Sequence, residues 1–76
     1  MSNTEHLVKM ANQIESFFRS EIDRNIAVEN ISSHIKRFWD PRMRKEIIQH
    51  VQSGGHGLGD LSLEAIKGLA SSTKGY

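Results

Sequence analysis

Apolar positions recur along this chain every three or four residues and never settle into strict alternation. Between Asn3 and Ile22 they fall at Leu7, Ala11, Ile14, Phe18 and Ile22, with Met10 and Phe17 widening the stripe. That is the period of an amphipathic helix. The spacing predicts a first helix over 3–22, with Ser2-x-x-Glu5 placed as a capping box and no glycine or proline inside. A second period through Ala27, Val28, Ile31, Ile35 and Phe38 predicts a helix over 26–39, capped by Asp23 or Asn25. So short a connection favours an αα-hairpin.

Asp40-Pro41 is the sharpest punctuation in the chain. Proline disfavours helical geometry in the residue before it and suits the first position of a new helix. The second helix is therefore expected to stop near Trp39, and Asp40 to cap a third over 41–52 that carries Met43, Ile47, Ile48 and Val51. Residues 53–59 hold four of the six glycines and read as a loop. Asp60 is placed to cap a last helix over 61–70 with Leu63, Ile66, Leu69 and Ala70 on one face. Gly68 weakens that helix by about 1 kcal/mol relative to alanine, and residues 71–76 are expected to fray. With no strand-like segment, the expectation is an all-α fold: a four-helix array in a single domain over 1–76, with a glycine-rich loop before the last helix.

Composition narrows the function. Seventy-six residues support one small core, and 37% apolar with 25% charged residues is the balance of a soluble globular chain. The absence of cysteine removes disulfides, thiolate zinc sites, iron–sulfur ligation and cysteine nucleophiles. No apolar run approaches the roughly 20 residues of a membrane span, and the polar start Met1 to His6 does not read as a signal peptide, so a cytoplasmic location is expected.

The net charge of +1 gives no overall case for nucleic acid or membrane, but its distribution is uneven. Lys36, Arg37, Arg42, Arg44 and Lys45 face Asp40 alone within residues 36–45, a local +4 that leaves −3 over the other 66 residues. Electrostatic recognition is expected to centre there.

Catalytic and metal chemistry find little support. His6, His34, His50 and His56 lack the i, i+3 or i, i+4 spacing of helix-borne ligands, so no metal site is expected. His6, His50 and His56 read as solvent-facing, and His34 as lying on the flank of the second helix. The glycine stretch lacks the strand before it and the Gly-Lys-Ser/Thr after it that a phosphate loop needs. No Gly-x-Ser-x-Gly elbow is present, and the serines fall at helix ends. Carboxylates such as Glu15 and Glu21 are expected on solvated faces, outside any setting that would raise a pKa into catalytic range. The chain reads as a non-enzyme.

What stands out is the corner Ile35-Lys36-Arg37-Phe38-Trp39-Asp40-Pro41-Arg42-Met43-Arg44-Lys45, which gathers the single Trp, the single Pro and half of the cations. Phe38 continues the apolar stripe and is expected in the core. Trp39, at the end of its helix, is open between core and interface anchor. Arg42 and Arg44 sit in the first turn of the third helix, where the macrodipole disfavours cations. Guanidinium forks and unpaired N–H groups pointing one way there suit a carboxylate or phosphate. Three readings follow: docking on another protein, binding of an anion such as a cofactor phosphate during maturation, and a nucleic-acid-binding helical module. The last is disfavoured by the balanced charge and by the few base-reading side chains on the third helix.

The segment Leu7-Val8-Lys9-Met10-Ala11-Asn12-Gln13-Ile14 with Phe17-Phe18, followed by His34-Ile35-Lys36-Arg37-Phe38-Trp39-Asp40-Pro41-Arg42-Met43-Arg44, resembles the delta subunit of NAD-dependent formate dehydrogenases. The resemblance covers roughly residues 5–70. It is looser after Gly57, where Gly59-Asp60 replaces a proline-containing start of the last helix. It implies a non-catalytic accessory subunit of a soluble, cytoplasmic enzyme that oxidises formate and reduces NAD, one that supports assembly or stability of active enzyme. It also implies that the bis-pterin molybdenum or tungsten centre, iron–sulfur clusters, FMN and NAD belong to larger chains, and that this chain holds no cofactor. The expected partners are the catalytic alpha subunit and, beside it, other subunits of the complex, and neither membrane nor nucleic acid. The expected docking residues are Trp39, Arg42, Met43, Arg44, Lys36 and Arg37, with Phe38, Asp40 and Pro41 shaping the corner. Without that partner, exposed Phe17, Phe18 or Trp39 on two antiparallel helices could drive self-association.

Overall fold

A computed structural model of the chain describes residues 3–73 and contains four helices: α1 (Asn3–Phe18), α2 (Arg24–Phe38), α3 (Pro41–Gln52) and α4 (Asp60–Thr73). Ser2 of the expected capping box and residues 74–76 of the expected frayed end lie outside the described residues. Helices α1 and α4 each pack against all three others, and the most extensive pairing is α2 with α4. The core is built from Leu7 and Ala11 of α1, Ile31, Ile35 and Trp39 of the second segment, Ile47 and Val51 of α3, and Ala65, Ile66 and Leu69 of α4. Among the described residues, no helix is long and apolar enough to cross a membrane.

The boundaries follow local chemistry. The Asp23 carboxylate accepts hydrogen bonds from the N–H groups of Asn25 (2.9 Å) and Ile26 (3.4 Å), which starts α2 at Arg24, two residues before the expected position. Helix α1 correspondingly ends at Phe18, four residues short of the expected Ile22. The apolar period runs on in sequence, but Ile22 lies in the connection and is almost fully exposed. At the next junction Trp39 takes an extended conformation, Asp40 Oδ1 accepts from the Met43 N–H at 2.9 Å, and Pro41 occupies the first helical position.

Helix α3 closes in a Schellman motif: the Gly55 N–H donates to His50 O (2.9 Å) and the Gly54 N–H to Val51 O (3.0 Å). Gly55 is buried at a φ of +67°, and a Cβ there would overlap Leu63. A side chain is excluded twice over at that position.

Helix α4 begins one residue earlier and runs three residues further than the sequence suggests. Its capping departs from expectation. Gly59, not Asp60, holds the N-cap position, its carbonyl accepting the Leu63 N–H at 2.9 Å. The capping carboxylate comes from α1: Glu15 Oε1 accepts the buried Ser62 N–H at 2.9 Å. Asn12, one turn earlier, accepts from the Gly59 N–H (3.0 Å) and donates to Gly57 O (2.9 Å). The Ser62 hydroxyl donates to Ala11 O at 3.1 Å. Glu15 is therefore not on a solvated face but 4% exposed, and a Cβ at residue 59 would collide with its carboxylate. A proline at that position would also lack the N–H that Asn12 receives.

Burial by itself raises the Glu15 pKa, but the bonds from Ser62 and the Arg19 guanidinium, 3.4 Å away, outweigh it and hold the carboxyl below its usual range. With the Ser62 hydroxyl turned to Ala11 O, the backbone N–H is the donor that fixes the carboxylate.

Candidate docking surface

The corner between α2 and α3 divides its residues between inside and outside: Phe38, expected in the core, lies outside, and Trp39, open between core and interface anchor and named as a docking residue, lies inside. Trp39 is 4% exposed and belongs to the core, whereas Phe38 is 69% exposed. The physical reason is a ridge of fours. Ala27, Ile31, Ile35 and Trp39 are all buried and each follows the last by four residues, so one i±4 row of α2 meets the core. Phe38 is one residue, or about 100° of helical rotation, off that row. Trp39 thus anchors the corner to the fold and presents little surface of its own. Phe38 is the aromatic that faces solvent.

The cations divide as well. The Arg44 guanidinium donates from Nη1 to Lys36 O at 2.8 Å, across the corner. It satisfies a carbonyl in the last turn of α2 and so clamps the two helices, as a cation at a helix C-terminus does. Lys36, Arg37 and Arg42 are exposed, and none forms a salt bridge or side-chain hydrogen bond among the described residues. Met43 is half-buried beside them. Two of the donors expected to meet an anion, the Met43 N–H and the Arg44 guanidinium, are already engaged within the chain. Asp40 already occupies the start of α3, and Arg44 is turned back onto α2.

Beside the corner an open groove of about 430 Å³ runs between α1 and the α2–α3 junction. Met10, Ile14 and Phe17 of α1, His34 and Phe38 of α2, and Trp39 and Met43 of the α2–α3 junction line it. A row of ring contacts spans it. Phe17 and Phe18 meet edge to face with centroids 5.2 Å apart, Phe18 and His34 at 6.2 Å, and His34 and Phe38 at 4.7 Å. Phe17 is 78% exposed. Two large aromatics so uncovered on one face of a 76-residue chain form a contiguous apolar patch of the kind that marks interaction sites.

Sequence reasoning placed the corner but missed the groove. A signal was present in the doublets Phe17-Phe18 and Phe38-Trp39: adjacent residues point about 100° apart, so a narrow buried ridge cannot take both members. The histidines separate likewise. His34 is half-buried among the phenylalanines, and His50, expected in solvent, is half-buried with Nε2 2.8 Å from His56 O; His6 and His56 are exposed. Among the described residues, no three His, Asp or Glu side chains are grouped to hold a metal ion.

Residues 6–66 match the family described as the NADH-dependent formate dehydrogenase delta subunit, FdsD. No curated protein and no solved structure matches the chain. The matched span contains α2, α3, the corner, the groove and the Glu15–Ser62 contact.

Proposed function

We propose, from the premise that this chain belongs to the delta-subunit family of NADH-dependent formate dehydrogenase, that it is a non-catalytic docking subunit. It binds the catalytic alpha subunit through the exposed side of the α2–α3 corner and supports assembly or stability of the active enzyme. The observation that carries this reading is the placement of Lys36, Arg37 and Arg42. Three cations without an intramolecular partner among the described residues stand beside an uncovered Phe38 on a corner pinned from within by Trp39 and Arg44. Rigid presentation reduces the entropy lost on association, and desolvated Arg and aromatic side chains dominate interface energetics.

In this reading Met43 contributes apolar contact beside Arg42, while Trp39, Asp40, Pro41 and Arg44 act by shaping the corner. Redox chemistry belongs to the metal–pterin, iron–sulfur, FMN and NAD sites of the larger chains. This chain has no cysteine with which to ligate a cluster.

The test is co-purification of the enzyme through a tagged alpha subunit, with wild-type delta or Arg37→Glu/Arg42→Glu. The charge reversals are expected to deplete delta from the complex and lower the yield of active enzyme per alpha chain. Full retention at moderate salt would remove the corner as the interface.

A further inference from the structure

We infer that the groove between α1 and the α2–α3 junction seats an amphipathic helix of another subunit, with its apolar face on Phe17, Phe38 and Met43 and acidic residues along the edge that meets Arg37 and Arg42. The inference rests on the docking reading above and names the chemistry of what docks.

Three observations select this occupant. The groove is lined mainly by apolar side chains drawn from three helical segments, Gln13 and His34 supplying its polar atoms. A trough between packed helices accepts a helix whose anchors recur at i, i+3, i+4 and i+7. Met10 and Met43 both line it, and unbranched thioether side chains adapt to the ridges of an incoming helix.

Cations neighbour the lining residues in sequence. Arg37 directly precedes Phe38 and follows His34 by three residues, close to one helical turn, and Arg42 directly precedes Met43. Both arginines are exposed and lack a carboxylate partner among the described residues. No Asp or Glu lines the groove, and the nearest carboxylate in sequence, Asp40, accepts the Met43 N–H. An apolar lining with unpaired cations close by in sequence complements an apolar stripe edged with Asp and Glu.

The same charge argues against a second copy of this chain as the occupant. A two-fold pairing groove to groove would set the +4 segment 36–45 against itself. Like charges so placed repel within a Debye length of about 8 Å at physiological salt.

The test uses the assembled enzyme with p-benzoylphenylalanine in place of Phe17 or, separately, Phe38, followed by irradiation and identification of the cross-linked peptide. Both positions are exposed, so the fold accommodates the larger ring. The expected result is one common segment of another subunit, with apolar residues at three- and four-residue spacing and more acidic than basic side chains. Cross-links to a second copy of this chain, to a segment without that period or charge, or none while delta is retained, would overturn the groove assignment and leave corner docking standing. Failure of unmodified delta to co-purify would sink the docking reading and the groove assignment with it. Independently, Phe17→Ser/Phe38→Ser is expected to lower delta retention about tenfold or more with helical content unchanged. Equal retention overturns the inference.

Discussion

The carboxylate of Glu15 is the buried polar group on which the junction of α1 and α4 depends, and replacing it tests that dependence quantitatively. In Glu15→Gln the side chain keeps an oxygen for the Ser62 N–H but loses its charge. Hydrogen bonds to charged groups contribute about 1 kcal/mol more than neutral ones, and an anion at a helix N-terminus adds about 0.3–1 kcal/mol. The expected loss is therefore about 1–2 kcal/mol at pH 7. Glu15→Ala leaves the Ser62 N–H buried without its acceptor and opens a void, for a loss of about 3 kcal/mol. A chain of this length has roughly 4–11 kcal/mol to lose. At about 4–8 °C per kcal/mol, the glutamine variant should melt roughly 5–15 °C lower, which circular dichroism resolves easily.

The Arg19 partner allows a contrast within the same site. Its side chain is 73% exposed and sits at i+4 from Glu15, so Arg19→Ala should cost no more than about 0.5 kcal/mol. The pH dependence follows from the direction of the shift. A carboxyl held below its usual value of about 4.5 binds fewer protons in the folded chain than in the unfolded one, so stability rises with pH across that window. The contribution is complete above about pH 5 and is lost as pH falls through the depressed folded value. The gap between wild type and Glu15→Gln should accordingly close in acid. Equal melting of the two proteins at pH 7, or a gap that persists unchanged at low pH, would refute the trans-capping account.

Three further outcomes follow from the same structure. Gly55→Ala forces a Cβ onto a positive-φ residue and into Leu63 and should destabilise by about 2 kcal/mol or more, read as a lower denaturant midpoint at unchanged slope. Trp39→Ala empties a core position and should lose about 3–5 kcal/mol, whereas Phe38→Ser one residue earlier should stay within about 0.5 kcal/mol of wild type; urea titration of the pair checks which aromatic is inside. Arg44→Ala removes the clamp on Lys36 O and should cost about 1 kcal/mol, with faster amide exchange at the end of α2.

The helices were legible in the chain because each carries an apolar period and the α2–α3 junction carries its own punctuation. Asp40-Pro41 defines that corner to the residue, since an Asp cap and a proline at the first helical position act locally. Burial within each helix was less legible. The buried positions follow rows of four, Leu7, Ala11, Glu15 in α1 and Ala27, Ile31, Ile35, Trp39 in α2. Hydrophobicity alone drew the stripes toward Ile14, Phe18 and Phe38 instead. Glu15 extends the α1 row as a charged residue, and only the approach of the α4 N-terminus, 47 positions later, explains it. Ile22 shows the converse: a period can continue in sequence after the helix has ended, because the Asp23 cap competes for the same backbone. The basic corner was visible as charge density. The groove beside it was not, because it forms between α1 and the α2–α3 junction and no single segment contains it.

Amide hydrogen exchange of delta, free and within the assembled enzyme, tests the central claim most directly. If the corner and its groove are the docking surface, assembly should slow exchange in peptides covering residues 10–18 and 34–44 and leave the loop over 53–59 unchanged. Protection confined to that loop or to α4, with 34–44 exchanging as in the free chain, would contradict it.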